Sequence, residues 1–423
     1  MILRARVVLP ISRPPIEDGA VLIAGNRLAR VGAWKEFSPT DGEVIDLGET
    51  ILMPGLINSH CHLDYTDMAG LIPPQKSFTD WIRLMLATKA GWNYSEYAES
   101  WLNGARMLAK TGTTTVADFE AVPELLPDVW SSTPLRVISL LEMTGVKSRR
   151  DPRDILQDNV NHILTLPGGR CRPGLAPHAP YSTAPELLRL SAEMARQRHW
   201  PLSIHISESA QEFEMFLKGK GVMFDWLRWN GRDMGDCGER SPVRHLDRSG
   251  VLSENCLAVH VNYLAEGDAK LLARRKTSVA HCPRSHAYFR HEDFPYHALT
   301  RAKVNVCLGT DSLATVYKKP RQKVQLNMFE EMQAFSTKHP RVSSEKILRM
   351  ATVNGARALG MEGQAGEISE GALADLIVIP FKGGLKDANE AAVHHEGVVM
   401  GSLIDGGWVI EPEGRISEAS RAA

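Results

Sequence analysis

Leu56–Leu63, LINSHCHL, is the stretch on which the fold turns. Pro54-Gly55 precedes it, its body is apolar, and its strongly polar side chains gather at the C-terminal end. A short apolar run bounded in this way predicts a strand buried on both faces, as in a parallel sheet. Seven runs of the same texture follow: GTTTVADF (112–119), LRVISLLEM (135–143), CRPGLAPHAP (171–180), PLSIHISES (201–209), CLAVHVNYL (256–264), TSVAHCP (277–283) and VNVCLGTDS (304–312). Longer stretches with helical periodicity separate them, such as Glu266–Arg275 and Ala184–His199; the latter has Pro185 in its first turn and Pro201 just past its end. Eight strands alternating with helices predict an α/β fold, a (β/α)8 TIM-like barrel. The alternative is an open doubly wound sheet, but no GxGxxG follows the first strand.

Outside this region the texture changes. Met1–Pro10, Gly19–Gly32 and Gly42–Glu49 are short β-rich runs, and similar runs return at Gly371–Pro380 and Gly397–Ile410. We therefore expect a small β-sandwich domain built from both termini, residues 1–53 and 364–423, around a barrel spanning 54–363. The 423 residues are 43% hydrophobic and 23% charged, the balance of a soluble globular enzyme. Lys plus Arg number 49 against 50 Asp plus Glu, so neither nucleic acid nor an anionic membrane is an expected partner. A small-molecule substrate is, and assembly into a homo-oligomer is left open. No apolar stretch approaches the roughly 20 residues of a membrane span, and the apolar run in Met1–Pro10 is too short for a signal peptide. The six cysteines form no CxxC pair, which argues for reduced thiols in a cytoplasm and against zinc fingers or a PCxxC zinc site.

The chemistry-bearing residues collect at predicted strand ends, the face of such a barrel that carries active sites. Alternation along a strand puts His60 and His62 on one inward face and turns Cys61 toward the helices. The fifth run supplies His205, and Glu208 three residues on; the eighth supplies Asp311. His60, His62, His205 and Asp311 would form a set of three nitrogens and one oxygen, suited to Zn2+ or Fe2+ with a position left for water. Glu208 would sit over that ion without being a ligand.

PGLINSHCHLD, HISES, AVHVNYL, VAHCPRSH and LGTDS, in that order, resemble the amidohydrolase superfamily over nearly the whole chain. Within it they are most similar to the branch of cytosine deaminase-like and S-adenosylhomocysteine deaminase-like enzymes. The resemblance implies that His60, His62, His205 and Asp311 are the metal ligands and that Glu208 is the proton shuttle. It further implies that His260 contacts the attacking water or the tetrahedral intermediate, and that His178 contacts substrate. Binuclear members carry a lysine at the fourth strand; CRPGLAPHAPYS has none, so a single divalent ion, Zn2+ before Fe2+, is expected.

At the seventh strand much of the branch reads HNPxSN, whereas this chain reads His281-Cys282-Pro283-Arg284-Ser285-His286, with Tyr288 and Phe289 beyond. That variant, with Asp64 and the Phe78…Trp81 pair, is similar to the aminodeoxyfutalosine deaminases. His281 is expected to be a ligand or to lie just behind the ligands, and Cys282, like Cys61, to point away from the site. Trp81, His178, Arg284 and His286 are the expected substrate contacts; Arg284 would grip a substrate carboxylate, or else pair with Glu292 or Asp293. The function implied is hydrolytic deamination of an amino-substituted nitrogen heterocycle, an adenine nucleoside derivative such as aminodeoxyfutalosine or S-adenosylhomocysteine. The alternatives are hydrolysis of a ring amide or carbon–halogen bond at the same site, and a non-catalytic barrel scaffold.

Overall fold

The computed structural model describes residues 1–146, 150–412 and 416–417; the remainder of the expected small domain, 413–415 and 418–423, lies outside them. The eight apolar runs are eight parallel strands paired in chain order: β1 (Leu56–Cys61), β2 (Thr113–Glu120), β3 (Arg136–Met143), β4 (Arg172–Pro177), β5 (Leu202–Ile206), β6 (Cys256–His260), β7 (Ser278–His281) and β8 (Val306–Leu308). A parallel bridge between Cys61 and Asp311 closes β8 onto β1. β2 shows why these segments are strands. Its Thr-Thr-Thr-Val start is β-branched throughout and every residue of it is buried, which favours the pleated conformation on both faces.

The crossovers are helical and end on recognisable signals. Asn93 caps Tyr94–Lys110 in a box with Glu96, and Pro185 opens Pro185–Arg198, which ends on the left-handed residue His199. Inside the barrel Ile57, Phe119, Ile138, Leu140, Val259, Ala280 and Cys307 pack together beneath the strand ends. Helix Val353–Ala358 plugs the opposite end, with Gly355 against Ile57 and Ser59.

The termini build a second, mixed sheet of nine strands. The N-terminal strand Thr50–Pro54 runs antiparallel to the C-terminal strand Leu376–Pro380, pairing Ile51 with Ile379 and Met53 with Ile377. Gly55 then leads directly into β1. Arg136, the first residue of β3, fastens the two sheets together: its guanidinium donates to Asp375 at 3.1 Å and to Asp405 at 2.7 Å. Among the described residues no helix is long and apolar enough to cross a membrane.

Candidate metal centre and its cleft

The seam between the first and last strands sets the centre of the site. Asn58 donates to Thr310 Oγ1 and accepts from the Thr310 amide, while the amides of Thr310 and Asp311 both donate to the His60 carbonyl. Gly309 makes this approach possible, since a Cβ there would lie 2.8 Å from both the amide nitrogen and the carbonyl oxygen of His60. The seam delivers Asp311 Oδ1 to 3.7 Å from His60 Nε2 and 3.8 Å from His62 Nε2. Ser285 and Thr315 hydroxyls donate to the other oxygen, Oδ2, at 2.6 and 3.1 Å, which fixes the carboxylate plane. Asp311 adopts φ 56°, a strained conformation for a residue with a side chain.

β5 and β6 complete the cluster. The Nδ1 of His205 faces the His178 carbonyl at 2.9 Å, and its Nε2 lies 3.4 Å from His62 Nε2. His260 Nε2 lies 3.6 Å from Glu208 Oε1. Burial pushes the imidazoles of His62 and His260 down to about 3, so both are neutral near pH 7. The two carboxylates are driven apart. Burial, with Asp311 and Glu212 close by, raises Glu208 well above the usual carboxylate range. Burial works the same way on Asp311, but contact with His60 and the neighbouring imidazoles of His260 and His62 outweigh it and hold Asp311 low. Such a split would suit one carboxyl to proton donation and the other to remaining an anion.

The donor set fits a divalent ion. Both ring nitrogens of the fully buried His60 lack a hydrogen-bond partner, as do His62 Nδ1 and His260 Nε2. Uncompensated buried polar atoms are costly, and a cation is what several converging nitrogens and one anionic oxygen would satisfy. The ligand atoms of His60, His62 and Asp311 all lie within 4.8 Å of one another, as do those of His60, His205 and His260. Imidazole and carboxylate donors suit zinc or iron(II).

A cleft of about 270 Å3 opens above the cluster, with His62, His178, His205, Glu208 and Asp311 at its base. Trp81, Met85 and Leu86 from helix Phe78–Ala90 and Trp226 and Leu227 from helix Val222–Trp229 form apolar walls. Lys89 and Glu142 line it too, 4.0 Å apart, and Lys89 also donates to the Tyr65 hydroxyl. Burial would raise Glu142, but Lys89, His178 and His62 together hold it below its ordinary range.

Trp81 and His178 thus line the cleft; the other two expected substrate contacts do not. Arg284 has its guanidinium committed to Glu331 and Glu330 and to the Gln325 carbonyl, on the helical side of the barrel and away from the cleft. Neither Glu292 nor Asp293 is its partner. His286 directs Nδ1 to Asn262 Oδ1 at 3.0 Å and Nε2 to the Glu292 carbonyl at 2.7 Å, so both nitrogens are occupied. It acts as a support, because Asn262 donates in turn to the Glu208 carbonyl. His281 stacks on Phe294 with ring centres 3.7 Å apart and, among the described residues, joins no group of candidate ligands, so of its two expected places that of a ligand finds no support. Cys282, expected to point away, packs inward with Ala280 and Val259. Two of the four residues of β7 are polar, Ser278 and His281, but they lie three apart and so fall on opposite faces, leaving the inward face unmarked.

Sequence reasoning missed Glu212. Its carboxylate accepts the amides of Ser207 and Glu208 at 3.1 and 2.9 Å and so shapes the turn that presents Glu208. The signal was there: Ser209 caps the helix Ala210–Lys218, and Ser-x-x-Glu is a capping pattern. Glu142 was legible as well, a charged residue at the C-terminal end of an apolar barrel strand.

A model of the amidohydrolase family matches residues 51–400. A 5-methylthioadenosine/S-adenosylhomocysteine deaminase of Syntrophobacter fumaroxidans is 31% identical over 388 residues, 86% of this chain and 81% of that protein. A 5'-deoxyadenosine deaminase of Methanocaldococcus jannaschii is 26% identical over 411 residues, 92% of this chain and 90% of that one. Among solved structures, Helicobacter pylori aminofutalosine deaminase in complex with methylthio-coformycin superimposes with a TM-score of 0.87 at 20% identity, covering 97% of this chain and all of that one. An adenosine deaminase from Xanthomonas campestris with bound zinc gives 0.81 at 23% identity, covering 100% and 95%. These two likenesses show the fold.

Proposed function

This chain belongs to the amidohydrolase family, and we propose that it is a metal-dependent hydrolytic deaminase of an adenine nucleoside derivative. The observation that carries the reading is Glu208: a buried carboxyl on the cleft floor, shifted above the usual carboxylate range by burial, 3.6 Å from His260 and beside the His60–His62–Asp311 cluster. The names of the relatives quoted above supply the substrate class.

His60, His62, His205 and Asp311 would hold one divalent ion, zinc before iron(II). Such an ion, when bound, supplies Lewis acidity that brings the pKa of water toward neutrality. His260 and Asp311 then orient the attacking water against the ring carbon. Glu208 gives its proton to the adjacent ring nitrogen, which makes that carbon electrophilic, and afterwards relays a proton to the departing amine; water enters and ammonia leaves. Trp81 and Trp226 flank the heterocycle or its substituent, and the Lys89–Glu142 pair meets the polar part of the substrate. The cysteines are unpaired among the described residues, which supports a reducing cytoplasmic setting.

The test is ammonia release from adenosine, S-adenosylhomocysteine, 5'-methylthioadenosine and aminodeoxyfutalosine, with metal content measured on the same sample. At least one nucleoside should be deaminated by protein carrying about one ion per chain. Activity confined to ring amides or carbon–halogen bonds would overturn the proposal.

A further inference from the structure

The barrel has a second mouth, where its strands begin, and the beginnings of β4 to β8 surround a cavity of about 820 Å3 there. Its charge is one-sided. Arg172, Arg196, Lys276, Lys303 and Arg357 line it, against the carboxylates of Glu254 and Glu362. Both acids are already engaged, Glu254 by Lys276 at 3.1 Å and Glu362 by Arg357. The other three cations have no carboxylate partner among the described residues. Arg172 donates to the Leu359 carbonyl, and Arg196 to the Gly250 carbonyl at 2.6 Å. In a chain of net charge −1 this concentration does not come from composition.

The backbone adds an independent observation. The turns that lead into β5, β7 and β8 each pass through a left-handed residue: His199 at φ 56°, Lys276 at 56° and Lys303 at 68°. The turn into β6 uses Gly250, at φ 72°. Glycine takes this conformation freely, whereas any side chain there strains the backbone. Three times the sequence keeps a basic residue where glycine would be cheaper, and all three line this one cavity. Attraction to helix C-termini favours basic residues near such turns. It does not account for Arg172, which opens a strand.

We propose that this mouth is an anion site, separate from the catalytic cleft, for a compact oligophosphate: a di- or triphosphate, free or carried by a nucleotide. The three cations without a carboxylate partner come from separate segments of chain around the rim, so one ligand must offer several anionic oxygens to meet them. Guanidinium and ammonium groups are the usual partners of phosphate oxygens, and the volume falls within the roughly 300–1,000 Å3 of small-molecule sites.

Calorimetric titration of the full chain with inorganic tripolyphosphate and with ATP tests this, with bound metal quantified before and after because both probes chelate. One saturable site per chain is expected, with Kd below about 100 µM at low ionic strength and clear weakening as salt is raised. The Lys276→Gly/Lys303→Gly variant should bind at least about tenfold more weakly while its Tm is unchanged or raised, because glycine relieves two strained turns. Arg196→Gln, on an exposed helical position, should weaken binding without touching those turns. Equal affinity for the two probes assigns the site to the phosphate chain, and a preference for ATP adds a contact to the nucleoside. No saturable binding of either probe, unchanged affinity in the variants, or tighter binding of a single-stranded oligonucleotide than of both would overturn the proposal.

Discussion

Removing the two hydroxyls that hold Asp311 should loosen the metal without unfolding the barrel. Ser285 and Thr315 both donate to Oδ2, at 2.6 and 3.1 Å, leaving Oδ1 to face His60 and His62. Ser285→Ala deletes one oxygen, and Thr315→Val is close to isosteric, so packing is nearly preserved. A hydrogen bond to a charged group contributes about 1.5–3 kcal/mol, part of which water can restore. Losing a partner of this kind typically costs about 10–100-fold in metal affinity, or roughly 1.4–2.8 kcal/mol. Because both hydroxyls act on the same oxygen, the double variant should fall short of the product of the singles. Competition with a chromophoric chelator, on variants whose far-ultraviolet circular dichroism matches wild type, measures the effect. Affinity within threefold of wild type in both single variants would refute the claim that Asp311 is an oriented ligand.

Glu208→Gln should retain the metal while kcat falls by about 10²–10⁴-fold, as expected for a general acid–base group; loss of metal would make Glu208 a ligand instead. Asp375→Ala leaves Arg136 with only the more exposed Asp405, and urea unfolding should show a loss of about 3 kcal/mol, the low end for a broken buried pair. Arg284→Met strands the buried Glu331 and should lower stability by more than about 2 kcal/mol while leaving the preference between acidic and neutral nucleosides unchanged. A selective loss for acidic substrates would return Arg284 to the cleft.

The parts of this molecule that could be read in advance are those governed by local rules. β1 to β8 announce themselves by short, largely apolar runs, and parallel pairing buries such runs on both faces. Alternation placed Cys61 correctly, because the two histidines flanking it fixed the phase; it belongs to the core between strands and helices that also holds Trp101 and Leu108. The same rule failed at β7, where Val279 and Ala280 are both apolar and the two polar residues, Ser278 and His281, fall on opposite faces. Arg284 was misjudged for a different reason. Its partners Glu330 and Glu331 sit on helix Met328–Lys338, more than forty residues away, and only the folded chain brings them together. Lys89 likewise gained its place from tertiary packing, since nothing in the Phe78–Ala90 helix marks it as facing the cleft.

The central claim is that water replaces the exocyclic amine of an adenine nucleoside at this centre, and ammonia release measured before chelation, after it, and after zinc is restored tests it most directly. One ammonia per oxo product, lost with the metal and recovered with zinc, is the predicted result. Ammonia release that survives complete removal of metal, or a zinc-loaded protein that releases none from any adenine nucleoside, would contradict it.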